Sequence, residues 1–387
     1  MFNLRKQFLL DPSITFLNHG SFGAAPRPVF KEYQRWQREL ERQPVEFLGR
    51  RFAGLMAESR AALGAYLGAP ADDLVYTQNV TIAVNIVARS LELGPGDEVL
   101  ATDHEYGAMD RAWRFLSKER GFRYVNRHIE LPIVSEEKFV EDFWRGVTKR
   151  TRVVFISHIT SPTAIVLPIR EIVRRAREAG VLTVVDGAHA PGQLPMRLDA
   201  LEADFYCGNL HKWLCAPKGA GFLYARPDVQ QLLKPLVVSW GYESDSPSGS
   251  QFVDHHEWWG TRDVAAFLSV PAAIRFQEDN HWDEVREACH ALVAYAQKRL
   301  CELTGLAPLH PQTDAWFRQM ASAPLPADTD PFLLKNRLYG DHRIEIPVSE
   351  WNGKKLLRIS VQGYNSKRDV DRLLRALSAL LKTDTAQ

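Results

Sequence analysis

Two polar side chains stand just beyond two successive predicted strands in the middle of the chain. Asp186 closes the apolar run VLTVVD, and Lys212 follows the next run, ADFYC, after GNLH. Because parallel α/β sheets bind ligands beyond the carboxyl ends of their strands, we expect this acid and this amine to meet. A lysine amine forms an imine with an aldehyde, and a carboxylate can hold a pyridine nitrogen protonated. Together they predict a pyridoxal phosphate site, although a capping Asp and a solvated Lys are the ordinary interpretations of each alone.

A predicted strand-to-helix turn, TQNVTIAVN, offers donors for the phosphate of such a cofactor. Asn79, Val80 and Thr81 stand where the helix begins, and a helix N-terminus presents free N–H groups and about half a positive charge. An ordinary Asn or Thr cap is the alternative. No G-x-G-x-x-G follows a predicted strand and no G-x-x-x-x-G-K-[ST] occurs, so nucleotide cofactors are disfavoured.

The elements that must position these residues alternate between β-rich and helical stretches. The β-rich runs are DLVYT, DEVLAT, FRYVNRHI, RVVFIS, VLTVVD, ADFYC and AGFLYA. This alternation predicts an α/β fold with a mostly parallel sheet covered by helices. After about residue 262, a long helical stretch followed by strands predicts a smaller α+β domain. We therefore predict a large domain over 15–262 and a small one over 263–387, with residues 1–14 packing against the small one.

Composition excludes several classes of protein. The 387 residues include 48 Lys plus Arg and 47 Asp plus Glu, a net charge of +1, so no overall field would hold nucleic acid or anionic lipid. The four cysteines show no zinc-type spacing, and no metal site is predicted. No signal peptide and no apolar run of membrane-spanning length stands out. We expect a soluble, cytoplasmic protein with reduced thiols.

The motifs also occur in an order that resembles a known family. The segments are LNHGSFGAAPRPV, TQNVTIAVN, DHEYGAMDRAW, SHITSPTAIVLPI, VVDGAHAPGQLP, NLHKWLCAPKGAGFLY, WWGTRD and LLRISVQGYNS. They resemble the class V aminotransferases among the fold-type I pyridoxal phosphate enzymes, and in particular the isopenicillin N epimerase-like branch. The resemblance runs from about Phe16 to Leu381, and it implies a seven-stranded, mostly parallel sheet in the large domain.

The resemblance implies a role for individual residues. Lys212 would form the imine, Asp186 would face the ring nitrogen, and Tyr106, or failing it His104, would stack on the ring. The cofactor-binding set that it implies is Val80, Thr81, Tyr106, Ser161, Asp186, His189, His211, Lys212 and Thr261.

Further residues of the resemblance concern the substrate and a second subunit. Arg358 matches an arginine for the substrate α-carboxylate, and a guanidinium fork grips such a group well. Asn18 and His19 lie in a segment that contributes to the family's active sites. Thr261 matches a residue that reaches the phosphate of the neighbouring subunit, which implies a homodimer.

One difference from the family pattern excludes one class of reaction, that of the persulfide-forming desulfurases. Desulfurases that form a persulfide need a cysteine late in the chain, yet none follows Cys301, and the corresponding loop reads PVSEWNGKK. We therefore expect an enzyme that acts at the α-carbon of an amino acid or a derivative, as an epimerase or an aminotransferase. A C–S lyase and a non-catalytic cofactor-binding protein stay open, whereas a nicotinamide-dependent oxidoreductase lacks its glycine fingerprint.

Overall fold

The computed structural model of the protein describes residues 4–384. Its strands are β1 (Thr15–Phe16), β2 (Leu74–Thr77), β3 (Glu98–Thr102), β4 (Arg123–Arg127), β5 (Thr151–Ser157), β6 (Leu182–Gly187), β7 (Phe205–Asn209), β8 (Gly221–Ala225), β9 (Met320–Leu325), β10 (Ile344–Glu345), β11 (Val348–Trp351) and β12 (Lys354–Ser360).

The α-helices fall mainly between these strands. They are α1 (His19–Phe22), α2 (Arg27–Arg42), α3 (Phe52–Leu67), α4 (Val80–Ser90), α5 (Gly107–Arg120), α6 (Glu136–Trp144), α7 (Ile169–Glu178), α8 (Leu198–Leu201), α9 (Gln251–Glu257), α10 (Ala265–Leu268), α11 (Val270–Asp279), α12 (Trp282–Thr304), α13 (Pro331–Gly340) and α14 (Lys367–Asp384). None of these described helices combines the length and the apolar character needed to cross a membrane.

The main sheet has seven strands in the order β2–β8–β7–β6–β5–β3–β4. Strands β3 to β7 pair in parallel, whereas β8 runs antiparallel to both β7 and β2. The predicted α/β fold with a mostly parallel seven-stranded sheet is confirmed. The strand order places the ends of β5, β6 and β7 side by side, which is where the chemistry-bearing residues were expected.

The central strands are apolar throughout because helices cover both faces of the sheet. In β5, Val153 and Phe155 belong to the cluster that includes α4 and α5, whereas Val154 and Ile156 belong to the cluster that includes α7. All four side chains are fully buried. Burial on both faces is what produces continuous Val/Ile/Leu runs, in place of alternation, in parallel strands.

A second, antiparallel sheet in the order β11–β12–β9 carries the C-terminal site residue. Arg358 lies within β12 between Leu357 and Ile359, which are both buried. Because successive side chains of a strand point to opposite faces, these neighbours anchor one face of β12 and turn Arg358 to the other.

The first described residues pack against this C-terminal part of the chain. The Leu4 N–H donates to the Gly363 carbonyl at 3.0 Å, and the Phe8 ring meets the Tyr364 ring edge-on at 4.9 Å between centroids. Strand β1 pairs in parallel with β10. Residues 4–16 thus contact the C-terminal part of the chain, and the division into domains over 15–262 and 263–387 stays a prediction.

Candidate active site

A cavity of about 390 Å³ lies at the carboxyl ends of β5, β6 and β7. Ser157, Asp186 and Asn209, from the ends of these three strands, line it. The structure thus brings together most of the residues predicted from sequence. Those that line the cavity are Val80, Thr81, Tyr106, Ser161, Asp186, His189, His211, Lys212 and Arg358.

Lys212 projects into the cavity from the turn that follows β7. Its Nζ lies 3.2 Å from His189 Nε2, and its carbonyl oxygen lies 3.0 Å from His19 Nε2. Burial lowers the pKa of Lys212 to about 7, the Arg358 charge adds to this, and the Asp186 carboxylate acts in the opposite direction. With this pKa, about half of the Lys212 amines are uncharged at pH 7. The uncharged fraction is a competent nucleophile and a competent proton acceptor.

The reactivity of Lys212 towards an aldehyde is therefore expected to follow an unusual pH profile. Only the uncharged amine attacks a carbonyl, so the rate should rise about tenfold per pH unit below the pKa and level off above about pH 8. A lysine with the ordinary pKa of 10.5 would continue to gain rate beyond pH 9. The measurement is the rate of imine formation by cofactor-free protein across this range. A rate that still climbs steeply above about pH 9 would contradict the lowered pKa.

Asp186 lies near the end of β6 and lines the cavity, and a second acid is buried behind the cavity wall. The side chain of Asp186 is 3% exposed, and its Oδ1 accepts from the Ala188 N–H at 2.9 Å. Burial raises the pKa of Asp186, while the Ala188 N–H and the Lys212 charge lower it. Glu105 is buried nearby and accepts from the hydroxyls of Thr102 and Ser157, each at 2.6 Å. Burial raises the pKa of Glu105 to about 8, and the Asp186 charge adds to this.

The N-terminus of α4 forms the end of the cavity suited to a phosphate. Asn79 caps the helix, with its Oδ1 accepting from the Ile82 N–H at 3.0 Å. The Val80 N–H, which sequence assigned to the phosphate, instead donates to Asn209 Oδ1 at 3.0 Å. Thr81, in the first turn of α4, also lines the cavity and has an N–H and a hydroxyl that could donate.

His211 also lines the cavity, and its protonation depends on what binds there. Its Nδ1 lies 2.9 Å from the Ala220 carbonyl and therefore carries the proton. Burial lowers the pKa of His211 to about 4, so the ring is neutral by itself and Nε2 is an acceptor. A phosphate dianion would favour the imidazolium form, in which Nε2 donates. The donors around this end of the cavity fit a phosphate.

Arg358 is the cation at the opposite end of the cavity. It is 9% exposed, its Nη1 donates to the carbonyl and to the hydroxyl of Ser161 at 2.7 and 3.2 Å, and its Nη2 donates to Ser21 Oγ at 3.2 Å. Its Nε has no hydrogen-bond partner among the described residues, and none of their carboxylates forms an ion pair with it. Burial lowers the pKa of Arg358 to about 10. A buried cation without a counter-ion suits an anionic ligand.

The structure does not bring Asn18 or His19 to the cavity wall. Asn18 bonds to Ser21 Oγ at 2.5 Å and to Glu345 Oε1 at 2.8 Å, so it acts on Arg358 through Ser21. His19 is fully buried, with its Nδ1 2.9 Å from the Tyr364 hydroxyl and its Nε2 on the Lys212 carbonyl. Both residues support cavity residues from behind, because their polar atoms are already bound to other parts of the chain.

Tyr106 and His104, the two residues predicted as candidates to stack on the cofactor ring, differ in their access to the cavity. Tyr106 immediately precedes α5, is 47% exposed and lines the cavity. His104 is 1% exposed, and its Nδ1 lies 2.8 Å from the hydroxyl of Thr163, with the Trp351 ring 4.3 Å away. Thr261 is exposed and is not part of the cavity of its own chain.

Sequence reasoning missed residues that the structure places around the cavity. Ser21, Gln78 and Asn209 line it, and Glu105 lies behind Ser157. Gln78 precedes the cap of α4, and its Oε1 is buried without a hydrogen-bond partner among the described residues. The motifs TQNVT and GNLHK identified the turns that carry Gln78 and Asn209 as parts of the site. No local sequence motif indicated that Ser21 or Glu105 would lie near the cavity.

The chain is similar to known proteins in both sequence and fold. Residues 24–373 match the family model for aminotransferase class-V. The isopenicillin N epimerase of Amycolatopsis lactamdurans is 39% identical over 394 residues, covering 98% of both chains. A probable chloroplastic L-cysteine desulfhydrase of Arabidopsis thaliana is 28% identical over 405 residues, covering 96% of this chain and 84% of the other. A solved structure of C-DES, with glycine covalently linked to its PLP cofactor, superposes with a TM-score of 0.85 at 22% identity over 97% of this chain and 98% of that one.

Proposed function

Because the chain belongs to the class V aminotransferase family of pyridoxal phosphate enzymes, we propose that it acts at the α-carbon of an amino acid or an amino-acid derivative, as an epimerase or an aminotransferase. The observation that carries the proposal is the unpaired guanidinium of Arg358, which faces the same cavity as Lys212. A single α-amino acid could bind Arg358 through its carboxylate while its α-carbon lies beside Lys212. The 39% identity to an isopenicillin N epimerase supports the same class of reaction.

Each residue of the cavity has a definable task in such a reaction. When bound, pyridoxal phosphate supplies an aldehyde for Lys212 and a ring that draws electrons away from the α-carbon. Asp186 would keep the ring nitrogen protonated, since its carboxylate lies at the end of β6 on the floor of the cavity. Thr81 and His211 would hold the phosphate, and Tyr106 would cover one face of the ring.

Lys212 would also move the proton at the α-carbon. Its amine lines the cavity, and about half of it is uncharged at pH 7 because of its lowered pKa. When not bonded to the cofactor, this amine could accept the α-proton of a bound amino acid. Delivery of a proton to the opposite face of the α-carbon would give epimerisation, whereas delivery to the carbonyl-derived carbon of the cofactor would give transamination.

A direct test asks whether Lys212 carries the cofactor. Purified protein with pyridoxal phosphate should absorb visible light, and borohydride should bleach this absorbance while adding the cofactor's mass to the peptide that contains Lys212. Colourless protein whose Lys212 peptide stays unmodified would end the proposal. The reaction is then identified in heavy water with a panel of L-amino acids: the D-enantiomer indicates an epimerase, and a keto acid formed with an amino acceptor indicates an aminotransferase.

A C–S lyase is the second candidate, and one observation favours it. The Arabidopsis relative at 28% identity is named as a probable L-cysteine desulfhydrase. Such a reaction would release sulfide from L-cysteine together with pyruvate and ammonia, and it needs no persulfide-forming cysteine. Sulfide release from cysteine in the absence of any D-enantiomer or transamination product would select this candidate.

Truncation of Arg358 is expected to weaken substrates that carry a carboxylate. Arg358→Ala should lower kcat/KM by about tenfold to a hundredfold, because hydrogen bonds to charged groups contribute about 1.5–3 kcal/mol each. Arg358→Lys should fall between, since an ammonium keeps the charge but loses the planar fork. The measurement is spectral titration of the bound cofactor with an amino acid and with the matching amine that lacks the carboxylate. Equal losses for both ligands would remove the carboxylate role from Arg358.

We propose a homodimer in which Thr261 completes the neighbouring site. Thr261 is exposed and lies outside the cavity of its own chain, as a residue acting on another subunit would. Thr261→Ala should weaken cofactor binding, and mixing this variant with Lys212→Ala should restore one intact site per mixed dimer, with Lys212 and Thr261 from different chains. Absence of any recovery of cofactor binding after subunit exchange, or a monomer by ultracentrifugation, would argue against the arrangement.

We also assign the protein to the cytoplasm. The cysteines of the described chain, Cys207, Cys215, Cys289 and Cys301, carry free thiols, and the first three of them are buried. Unpaired thiols are typical of a reducing compartment. The proposed partner is a small amino-acid substrate, with neither nucleic acid nor membrane.

A further inference from the structure

The indole of Trp213, the residue next to Lys212, is hydrogen-bonded to a histidine of the cavity. Trp213 Nε1 lies 3.1 Å from His189 Nδ1. An indole nitrogen can only donate, so His189 Nδ1 must accept and cannot carry a proton. The neutral imidazole then holds its hydrogen on Nε2. The bond to Trp213 therefore determines which of the two tautomers His189 adopts.

The selected tautomer matters because His189 Nε2 faces the reacting end of Lys212. Lys212 Nζ lies 3.2 Å from it. An Nε2–H group donates to the lone pair of an uncharged amine, whereas it would oppose the N–H groups of an ammonium. The same hydrogen would donate to an anionic oxygen brought to that place by a ligand. His189 in this form thus favours the reactive state of the lysine.

Both partners of this hydrogen bond are held firmly by other groups. Trp213 is fully buried, its carbonyl accepts from Gln277 Nε2 at 2.9 Å, and the His19 ring lies 4.9 Å from it between centroids. The His189 carbonyl accepts from Gln193 Nε2 at 2.8 Å. The two carbonyl bonds fix the backbone of both residues, and the side chains are buried, with Trp213 0% and His189 2% exposed. The close packing around the rings keeps Trp213 Nε1 opposite His189 Nδ1, so the fold maintains the bond that selects the tautomer.

The other charged groups near His189 act in the same direction. Lys212, Arg358 and His19 face it, and burial, together with the charges of Lys212 and Arg358, lowers the pKa of His189 well below its ordinary value. Burial lowers the pKa of His19 to about 3, so that ring carries no charge near neutral pH. Asp186 also lines the cavity, but its carboxylate accepts from the Ala188 N–H, and no hydrogen bond joins it to His189 in the described chain. The neutral ring is therefore the form whose tautomer has to be chosen.

We propose that Trp213 is a positioning residue that holds His189 in the tautomer with a hydrogen on Nε2. This Nε2–H would donate to Lys212 Nζ in the cofactor-free protein, and to an oxygen atom of the cofactor when the cofactor is bound. The proposal concerns the same site as the proposed function, yet its first consequence is a property of the cofactor-free protein. It adds to a simple contact between His189 and the cofactor that His189 Nε2 is the hydrogen-bond donor and that Trp213 determines this role.

The tautomer can be read directly by nitrogen NMR of the full chain labelled with ¹⁵N-histidine. The His189 signals are identified by their loss in His189→Gln. In the wild type, Nε2 should be protonated and Nδ1 unprotonated across the neutral pH range, with and without pyridoxal phosphate. A protonated Nδ1 in the wild type would overturn the proposal, whether or not any Trp213 variant folds.

Substitution of Trp213 tests the cause of the tautomer. Trp213→Phe keeps an aromatic ring but removes the N–H, so both tautomers of His189 should appear and the ring should take up a proton at higher pH. Trp282→Phe is the matched control, because Trp282 is also buried and its Nε1 donates to a backbone carbonyl, that of Gly192, at 3.2 Å. A His189 spectrum that is the same in Trp213→Phe as in the wild type would refute the role of Trp213.

The effect on the cofactor is tested by a double-mutant cycle. Trp213→Phe should slow imine formation at neutral pH by roughly up to tenfold, the value of one hydrogen bond. In a His189→Gln background, where a side-chain amide donates without any tautomer, the same substitution should have no further effect. Equal slowing in both backgrounds would mean that Trp213 acts only through packing. Failure of the wild type to bind pyridoxal phosphate would count against the proposed function, whereas the NMR spectrum of the cofactor-free protein would still decide whether the tautomer is as proposed.

Discussion

Replacement of Lys212 by alanine is expected to abolish turnover and the covalent capture of pyridoxal phosphate together. The amine is the group that bonds to the aldehyde and the group placed to accept the α-proton, and general base catalysis alone is worth about a hundredfold to ten-thousandfold. We expect kcat to fall by at least that factor. The protein should fold as before, because the nearby Asp186 carboxylate keeps its hydrogen bond from the Ala188 N–H when the Lys212 amine is removed.

The matched control for this substitution is Lys218→Ala. Lys218 is an exposed lysine in the same stretch of chain. Its Nζ donates to the Gly23 carbonyl at 3.0 Å, and it is not among the residues that line the cavity. It should retain the borohydride-sensitive absorbance and most of the activity. Turnover by Lys212→Ala within about tenfold of the wild type would show that another group does the chemistry.

Asp186→Asn is expected to give the second largest loss. The substitution preserves shape and the contact with the Ala188 N–H, but a neutral amide does not hold the ring nitrogen of the cofactor protonated. The ring would then withdraw electrons poorly from the α-carbon, and we expect kcat to fall about a hundredfold to a thousandfold, in the range of other single electrostatic contacts to a developing charge. KM should change far less, because the substrate carboxylate is bound at Arg358.

Asp204→Asn provides the control for the loss of a buried carboxylate as such. Asp204 precedes β7 and is 6% exposed; its Oδ2 accepts from the N–H and the hydroxyl of Thr183, and it pairs with Arg226 at 2.6 Å. This substitution should lower the melting temperature while sparing kcat. A cofactor spectrum that is unchanged in Asp186→Asn would mean that Asp186 does not face the ring nitrogen.

Much of the fold could be predicted from the sequence because each strand carries its own signal. Runs such as VLTVVD are apolar throughout, since both faces of β6 are covered, and turns with Gly and Asn separate them. The direction of β8 could not be predicted in the same way. The run AGFLYA looks like its parallel neighbours, but only residues 210–220 lie between β7 and β8, too few for a helical crossover, so β8 returns antiparallel.

The site residues that could be predicted are those with a signal in the neighbouring sequence, and the others depend on contacts with distant parts of the chain. Lys212 and Asp186 could be found because each follows an obvious strand and because their types suit one cofactor. The role of Asn18 could not, since it depends on a bond to Glu345, a residue 327 positions away. Glu105 and Trp213 look like ordinary polar and apolar neighbours of more conspicuous residues, and only their partners in space distinguish them.

The hydrogen bonds of Arg358 have a mechanical consequence for the molecule. A single guanidinium, on β12, ties the loop after β5 to the segment that contains Ser21, through bonds that span 197 and 337 positions of the chain. An anion that binds this guanidinium would therefore contact a residue that already links the beginning, the middle and the end of the polypeptide. Ligand binding and the stability of the contacts between these three segments are thereby coupled, because both depend on the side chain of Arg358.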